Sequence, residues 1–326
     1  ATRAAALCKC DLMSRMVGEF PELQGVMGRY YALAHGESAQ VAHALDAFYQ
    51  PRHAADAIAA SPLARVLAVA ERLDTLAGIF AVGMKPSGNK DPFALRRAAL
   101  GLARTLIEGE LDIDLGAAFT EALQLLPEAA LAAALKPAKD GTPAALDAGV
   151  RRGELQRELT RFVFERLRGY YADQGFSNDQ FDAVMVVAPS SLVDFDRRLR
   201  AVAAFASRPE AANLAAANKR VGNILRKQAE AGEAPAQKVD PDRFEQDAER
   251  ELAQALAQAS QASREAVADG DYALALTRLA ALQKPVDRFF EDVLVMSEDD
   301  AVRANRLALL AQLQRHFMDV ADIARL

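Results

Sequence analysis

Residues 82–101 read VGMKPSGNKDPFALRRAALG, and this stretch combines a polar loop, a cluster of positive charge and the start of a helix. The Pro, Gly and Asn of KPSGN are typical of an exposed loop. Asp91-Pro92 has the pattern of an N-cap followed by proline at the first helical position, so we expect a helix to begin at Pro92. Its apolar residues would face inward. Four cations then gather around one helix start: Lys85, Lys90, Arg96 and Arg97.

This cluster has two interpretations. It is either a solvated loop before a well-capped helix, or an edge that contacts phosphate groups. The local pattern fits both equally, so the rest of the chain has to distinguish them.

Length and composition predict a folded protein of two or three domains, because 326 residues with 51% hydrophobic content can bury sizeable cores. The sequence has neither an apolar run long enough to span a bilayer nor the order of a signal peptide. We therefore expect a cytoplasmic protein with no membrane partner. The chain starts without Met and directly in helical sequence, which indicates a fragment of a longer polypeptide.

The two cysteines, Cys8 and Cys10, are too close in sequence for an ordinary disulfide. They also lack the further ligands of a structural zinc site. We expect both to be small buried side chains.

Apolar residues recur at helical spacing along the whole chain, with no strand pattern between them, which predicts an all-α protein. Changes in the spacing of helix-breaking residues and linkers divide the chain into a compact helical domain at 1–105, a helical connector at 106–206 and a last helical domain at 207–326. The connector carries a polar linker at 136–143. In the last domain we expect an Ala-rich helix at 214–227, a Gly/Pro linker at 232–241, and Asp269-Gly270-Asp271 as a turn and cap.

The helix at 214–227 is predicted to carry a basic stripe. On a helical wheel its leucine, isoleucine and valine residues share one side, and an arc of roughly 120° opposite carries polar and basic residues. Those residues are Lys219, Arg220, Asn223, Arg226 and Lys227. Charged residues more often than not only solvate an outer face, but no acid lies between Glu210 and Glu230, which weakens that interpretation and keeps contact with phosphates as the alternative.

Arg306 lies in the final helix, four residues before Leu310 and at the edge of the apolar stripe. It is a candidate for RNA contact. The equal alternative is a partly buried guanidinium tied to a neighbouring carboxylate.

A net charge of −6 and a pI near 5.4 argue against a protein that coats nucleic acid indiscriminately, since such proteins are usually basic. Local basic faces remain compatible with these values.

Several long strings resemble the C-terminal half of the beta subunits of bacterial heterotetrameric glycyl-tRNA synthetases. The strings are KCDLMSRMVGEFPELQGVMGRYYALAHGE, AERLDTLAGIFAVGMKPSGNKDPFALRRAALGLARTLIE, LAAANKRVGNIL and VLVMSEDDAVRANRLALLAQL. The resemblance implies a first domain similar to the HD superfamily and a last domain similar to the anticodon-binding module of arginyl-type class I synthetases. Within that module the matching positions are 218–225 and 305–310.

The resemblance also implies a division of labour. In such a family the alpha subunit holds the catalytic centre that uses glycine, ATP and Mg, and the beta subunit chiefly holds tRNA. This chain would then contain no cofactor of its own, and its partners would be glycine tRNA and the alpha subunit.

Catalytic motifs are missing from the sequence. An HD-type metal site needs an adjacent His-Asp pair, yet none of the four histidines precedes an aspartate. Asp74 could occupy the place of the last acidic ligand, but alone it cannot hold a metal. Motifs of nucleophilic enzymes, P-loops and class I synthetase catalytic domains are likewise missing. We assign no catalytic and no metal-binding residue.

The expected function is therefore that of a tRNA-binding, non-catalytic part of a glycine–tRNA ligase, an aminoacyl-tRNA synthetase. The alternatives are a metal-dependent HD-type phosphohydrolase and a helical scaffold that contacts only protein.

Overall fold

The computed structural model describes residues 1–133, 147–232 and 238–326. Across these ranges regular structure is helical, and the isolated bridges Ser87–Lys90 and Asp114–Ser191 belong to no sheet. The all-α class is thus confirmed. None of the helices in these ranges is both long enough and apolar enough to cross a membrane.

The chain divides into two compact units. The first comprises Ala1–Tyr170 with Ser190–Val193, and the second comprises Tyr171–Pro189 with Asp194–Leu326. This boundary lies inside the segment expected to be a connector. The division into three domains at 105 and 206 stays a prediction.

The first unit contains α1 to α8 and most of α9. The bounds are Thr2–Leu7 (α1), Arg15–Glu19 (α2), Val26–Ala34 (α3), Ala39–Ala47 (α4), Pro62–Ala81 (α5), Leu95–Glu108 (α6), Leu115–Gln124 (α7), Glu128–Ala132 (α8) and Ala148–Ala172 (α9). Helix α5 begins with a capped first turn, because the Ser61 hydroxyl accepts the N–H of Ala64 and Pro62 is the first residue of the helix.

The second unit contains the end of α9, α10, α11 from Asp194 onward, and α12 to α16. The bounds are Asn178–Met185 (α10), Leu192–Ala206 (α11), Ala211–Glu230 (α12), Asp247–Ala268 (α13), Tyr272–Ala280 (α14), Gln283–Asp292 (α15) and Asp300–Met318 (α16). The Asp271 carboxylate accepts the N–H of Leu274 at 2.9 Å, which confirms the helix cap predicted at Asp269-Gly270-Asp271. The predicted linker at 136–143 lies outside the described residues, as does much of the linker at 232–241.

Two buried arginines hold the segment between α4 and α5. The Arg72 guanidinium donates to the carbonyl oxygens of residues 48–50 at 2.8 to 3.2 Å. Burial lowers the pKa of Arg72. Arg104 donates to the carbonyl oxygens of Ala54 and Asp56 at 2.8 and 2.9 Å. These bonds satisfy backbone groups that would otherwise be costly to bury.

Two expectations from the sequence are wrong at the level of single residues. The helix expected to begin at Pro92 begins at Leu95, because Ala94 adopts a left-handed conformation with φ of 53°. Asp91 still caps it from a distance, accepting the N–H groups of Leu95 and Arg96 at 2.8 and 2.9 Å. Cys10, expected to be buried, is exposed.

Gly101 marks a close approach between α5 and α6. A Cβ atom added there would lie 2.8 Å from Nε of Arg72. That guanidinium is fixed by its carbonyl partners and cannot easily move aside.

Gly101→Ala should therefore lower the free energy of unfolding by about 1–3 kcal/mol through overpacking. Gly78→Ala in α5 is the matched control, since its added Cβ would meet no atom within 4 Å beyond its chain neighbours and its own helix backbone. The control should be neutral or more stable by up to about 1 kcal/mol, because alanine is the better helix former. Urea unfolding of both variants measures the difference, and equal stabilities would contradict the role given to Arg72.

Candidate nucleic-acid interface

Helix α12 has one buried and one exposed side, as predicted. Leu214 and Val221 are fully buried, and the amide of buried Asn218 donates to the Leu214 carbonyl at 2.9 Å. The five residues predicted for the stripe are all exposed: Lys219, Arg220, Asn223, Arg226 and Lys227. We call these five residues the basic face. Their role in binding stays a prediction.

The four cations of the basic face form no ion pair within the described residues, although a carboxylate lies within reach of many other arginines of the chain. Arg226 makes its hydrogen bond to a neutral group, the amide oxygen of Asn223, at 3.1 Å. Unpaired, exposed cations keep their full charge available to a polyanion. This arrangement is suited to bind phosphates.

An aromatic residue that the sequence analysis missed lies beside the basic face. The guanidinium carbon of Arg220 lies 4.2 Å above the ring centroid of Phe290 on α15. Phe290 is half-buried, whereas the preceding Phe289 is fully buried. The available signal was this Phe-Phe pair, because adjacent helix residues lie roughly 100° apart around the axis, so one of two adjacent rings can lie at the edge of the buried side.

Arg306 does not belong to the exposed surface. It is buried on α16, and its Nε donates to Glu249 at 2.9 Å and its Nη2 to Glu245 at 2.9 Å. Its Nη1 donates to the carbonyl of Leu294 at 3.0 Å. Burial lowers the pKa of Arg306, but the two glutamates outweigh this effect and leave it raised. The structure favours the alternative of a buried ion pair, and we withdraw Arg306 from the predicted RNA contacts.

Glu249 is fully buried and uses both of its carboxylate oxygens. Oε1 pairs with Arg306, while Oε2 accepts the backbone N–H groups of Glu245 and Gln246 at 2.9 and 2.7 Å. The carboxylate therefore caps the first turn of α13 and anchors α16. Next to Arg306, Asn305 exchanges two hydrogen bonds with the backbone of Asp240.

The loop at 82–94 carries cations in different states. Lys85 is half-buried and pairs with Glu158. Arg96 donates to the carbonyl of Gly88, while Lys90 is exposed. Of these three, Lys90 is the one whose charge is most available to a ligand.

Arg97 is exposed and lines a cavity of about 540 Å³ together with Lys9 and Arg52. Lys9 pairs with Glu71 at 2.6 Å, and Arg52 pairs with Asp46 at 2.8 Å. Arg97 has no ion pair in the part of the chain that the structure describes. Lys90, Arg96 and Arg97 thus form no ion pair within the described residues, although Arg96 is held by the Gly88 carbonyl. The contact of this cluster with RNA stays a prediction.

No three His, Cys, Asp or Glu side chains in the described ranges are grouped so that they could hold a metal ion. Asp74 is exposed, as are His35, His43 and His53. The predicted lack of a metal site stays a prediction.

The chain matches two family models. The model of the glycyl-tRNA synthetase beta subunit matches residues 1–186, and the model of the DALR anticodon binding domain matches residues 214–323. The second match includes all of the basic face and the Arg306–Glu249 pair.

Curated relatives match along the whole chain. It is 50% identical over 326 residues to the glycine–tRNA ligase beta subunit of Xanthomonas campestris pv. campestris (strain B100). The identity is 46% for that of Methylobacillus flagellatus and 47% for that of Pseudomonas aeruginosa (strain LESB58), again with 100% of this chain covered. The chain spans 44%, 43% and 44% of the length of these relatives, respectively.

Arg306→Ala should lower the free energy of unfolding by about 3 kcal/mol, because it leaves the buried Glu249 carboxylate without its cation. Arg250→Ala is the control, since that arginine forms an exposed pair with Asp247 and should cost less than about 1 kcal/mol. Adding Glu249→Gln to an Arg306→Met variant should recover part of the loss, because no charge is then left buried. Chemical denaturation measures all four, and an Arg306→Ala variant as stable as the parent would contradict the structural role.

Proposed function

The chain belongs to the family of glycyl-tRNA synthetase beta subunits, and we propose that it supplies tRNA-binding surface to a glycine–tRNA ligase. The substrate is glycine tRNA. The chain itself carries no catalytic centre and holds the tRNA while glycine is attached elsewhere.

The observation that supports this most directly is the basic face of α12. Its four cations are exposed and lack carboxylate partners among the described residues, and they lie inside the range that matches an anticodon-binding domain. Lys and Arg side chains in this state bind RNA mainly through phosphates, which position the ligand without reading its sequence.

The proposal includes a partner and a division of labour. The alpha subunit of the ligase would join this chain in a heterotetramer and would use ATP and Mg for the chemical step. The chain would need no cofactor of its own. The assembly would act in the cytoplasm during protein synthesis.

Lys219→Ala with Lys227→Ala should weaken the binding of different tRNAs by a similar factor of about 10, because two phosphate contacts are lost. The slope of log affinity against log salt should flatten by about two units. Filter binding across a salt series measures both quantities.

The control for that experiment is Arg243→Ala with Arg250→Ala, which removes the same charge from the same unit. Both arginines are paired, with Asp240 and Asp247 at 3.0 Å each. The control should leave the salt slope near that of the parent chain. A parent chain whose affinity for tRNA shows no salt dependence would instead support a scaffold that contacts only protein.

Lys90→Glu with Arg97→Glu tests the loop of the first unit. If these cations contact the tRNA backbone, the double variant should bind full tRNA at least about tenfold more weakly, since contacts far apart on one ligand reinforce each other. An isolated anticodon stem–loop, expected to bind only the second unit, should be held as before. Lys85→Ala is the control and should have a smaller effect, because Lys85 is paired with Glu158.

Thermal unfolding should barely change in the loop variants, since exposed charges contribute little to folding, about 0.5 kcal/mol or less. If these cations pair with acids of the alpha subunit instead, the variants would lose subunit assembly while the isolated chain kept its affinity for tRNA. That result would refute the proposed role of the loop.

A further inference from the structure

We infer that Arg220 and Phe290 form a stacking platform for one unpaired base of the bound RNA, with Asn223 as a hydrogen-bond donor to the edge of that base. This inference rests on the proposed function. It adds a contact to bases, where the proposed function needs contacts only to phosphates.

The aromatic half of the platform is fixed by the core. Phe289 is fully buried, and its ring meets that of Phe290 at 5.6 Å in an edge-to-face arrangement of 79°. Edge-to-face rings of this kind hold each other in a defined orientation. The ring of Phe290 therefore has a defined orientation, although the residue is only half-buried.

Arg220 covers that ring and remains exposed. Its guanidinium carbon lies 4.2 Å from the ring centroid, which is the distance of a stacked cation–π contact. A guanidinium is flat, so the face of Arg220 turned to Phe290 is used by the ring, and the proposal assigns the opposite face to a second flat group. RNA-binding proteins hold unstacked bases on aromatic rings and on arginine planes in this way.

Arg220 differs from the other cations that lie over aromatic rings in having no carboxylate partner within the described residues. Several Arg and Lys side chains of this chain lie over aromatic rings but also pair with a carboxylate: Arg29, Arg52, Lys85, Arg166, Arg198 and Arg200. Within the described residues Arg220 has no such partner. A carboxylate offsets the charge of those other cations and restrains them, whereas the ring is the partner that the described residues give Arg220, so its charge is kept for a ligand.

Asn223 lies one helical turn from Arg220 and is exposed. Its amide oxygen accepts from Nη2 of Arg226 at 3.1 Å, so its amide nitrogen remains as a donor. Lys219 and Lys227 lie on the same exposed face, where they would bind the flanking phosphates. Stacking, edge contact and phosphate contact are thus available within about two helical turns.

The test compares two RNA probes on the full 326-residue chain. One is the anticodon stem–loop of glycine tRNA, and the other is a blunt duplex with the same number of phosphates. Arg220→Lys keeps the charge but loses the flat face, and Phe290→Leu keeps the charge but loses the ring. Each variant should weaken the stem–loop by about 5-fold or more and leave the duplex unchanged. Asn223→Ala should show a smaller loss, again only with the stem–loop.

A second readout reports stacking itself. A 2-aminopurine placed in the loop should be quenched on binding to the parent chain and less quenched on the Arg220→Lys variant. Arg250→Lys is the matched control, because Arg250 is exposed in the same unit but is paired with Asp247 rather than stacked on a ring. It should behave as the parent in both assays.

The outcomes are distinguishable. A parent chain that binds the stem–loop, with Arg220→Lys and Phe290→Leu binding it equally well, overturns the stacking platform and leaves the proposed function intact. A parent chain that binds neither probe contradicts the proposed function and this inference together. Because Arg220→Lys alters only an exposed side chain, its result stands even if Phe290→Leu impairs folding.

Discussion

The ion pair between Arg306 and Glu249 fixes the position of α16 in the second unit, and the basic face depends on that position. Helix α12 packs its apolar side against α16 and α15, and α16 also packs against α13. A buried pair of this kind contributes little net stability compared with apolar residues, but it is costly to break, so it specifies one arrangement of the helices. With that arrangement fixed, the exposed side of α12 holds its cations in defined positions.

In this protein the surface available to RNA depends on which cations lack a carboxylate partner more than on the net charge. The net charge of −6 gives no hint of RNA binding, because most arginines that the structure describes contribute to ion pairs or to backbone carbonyl contacts. The cations of α12 differ because no acid lies on their helix between Glu210 and Glu230. A negatively charged protein can therefore present a local surface that attracts a polyanion, while its remaining surface disfavours indiscriminate binding.

Sequence periodicity predicted the fold class and the two sides of α12, because a helix of known phase determines which residues share a side. It could not place Arg306, since a long cation at the edge of an apolar stripe reaches either solvent or a buried carboxylate, and Glu249 is 57 residues away in the sequence. Phe290 was missed for the same reason, because its contact with Arg220 joins two helices. The start of α6 was misplaced by the left-handed conformation of Ala94, an alanine where that conformation is uncommon.

Because Glu249 contacts both α13 and α16, the first turn of α13 is coupled to the packing of the second unit. One oxygen holds the N–H groups that begin α13, and the other holds the guanidinium of α16. Helix ends ordinarily fray at little cost. Here the first turn of α13 can open only if the carboxylate leaves its position between two helices. Amide protons at this helix start should therefore exchange with solvent as slowly as those of the core, and the unit should unfold as a single cooperative body.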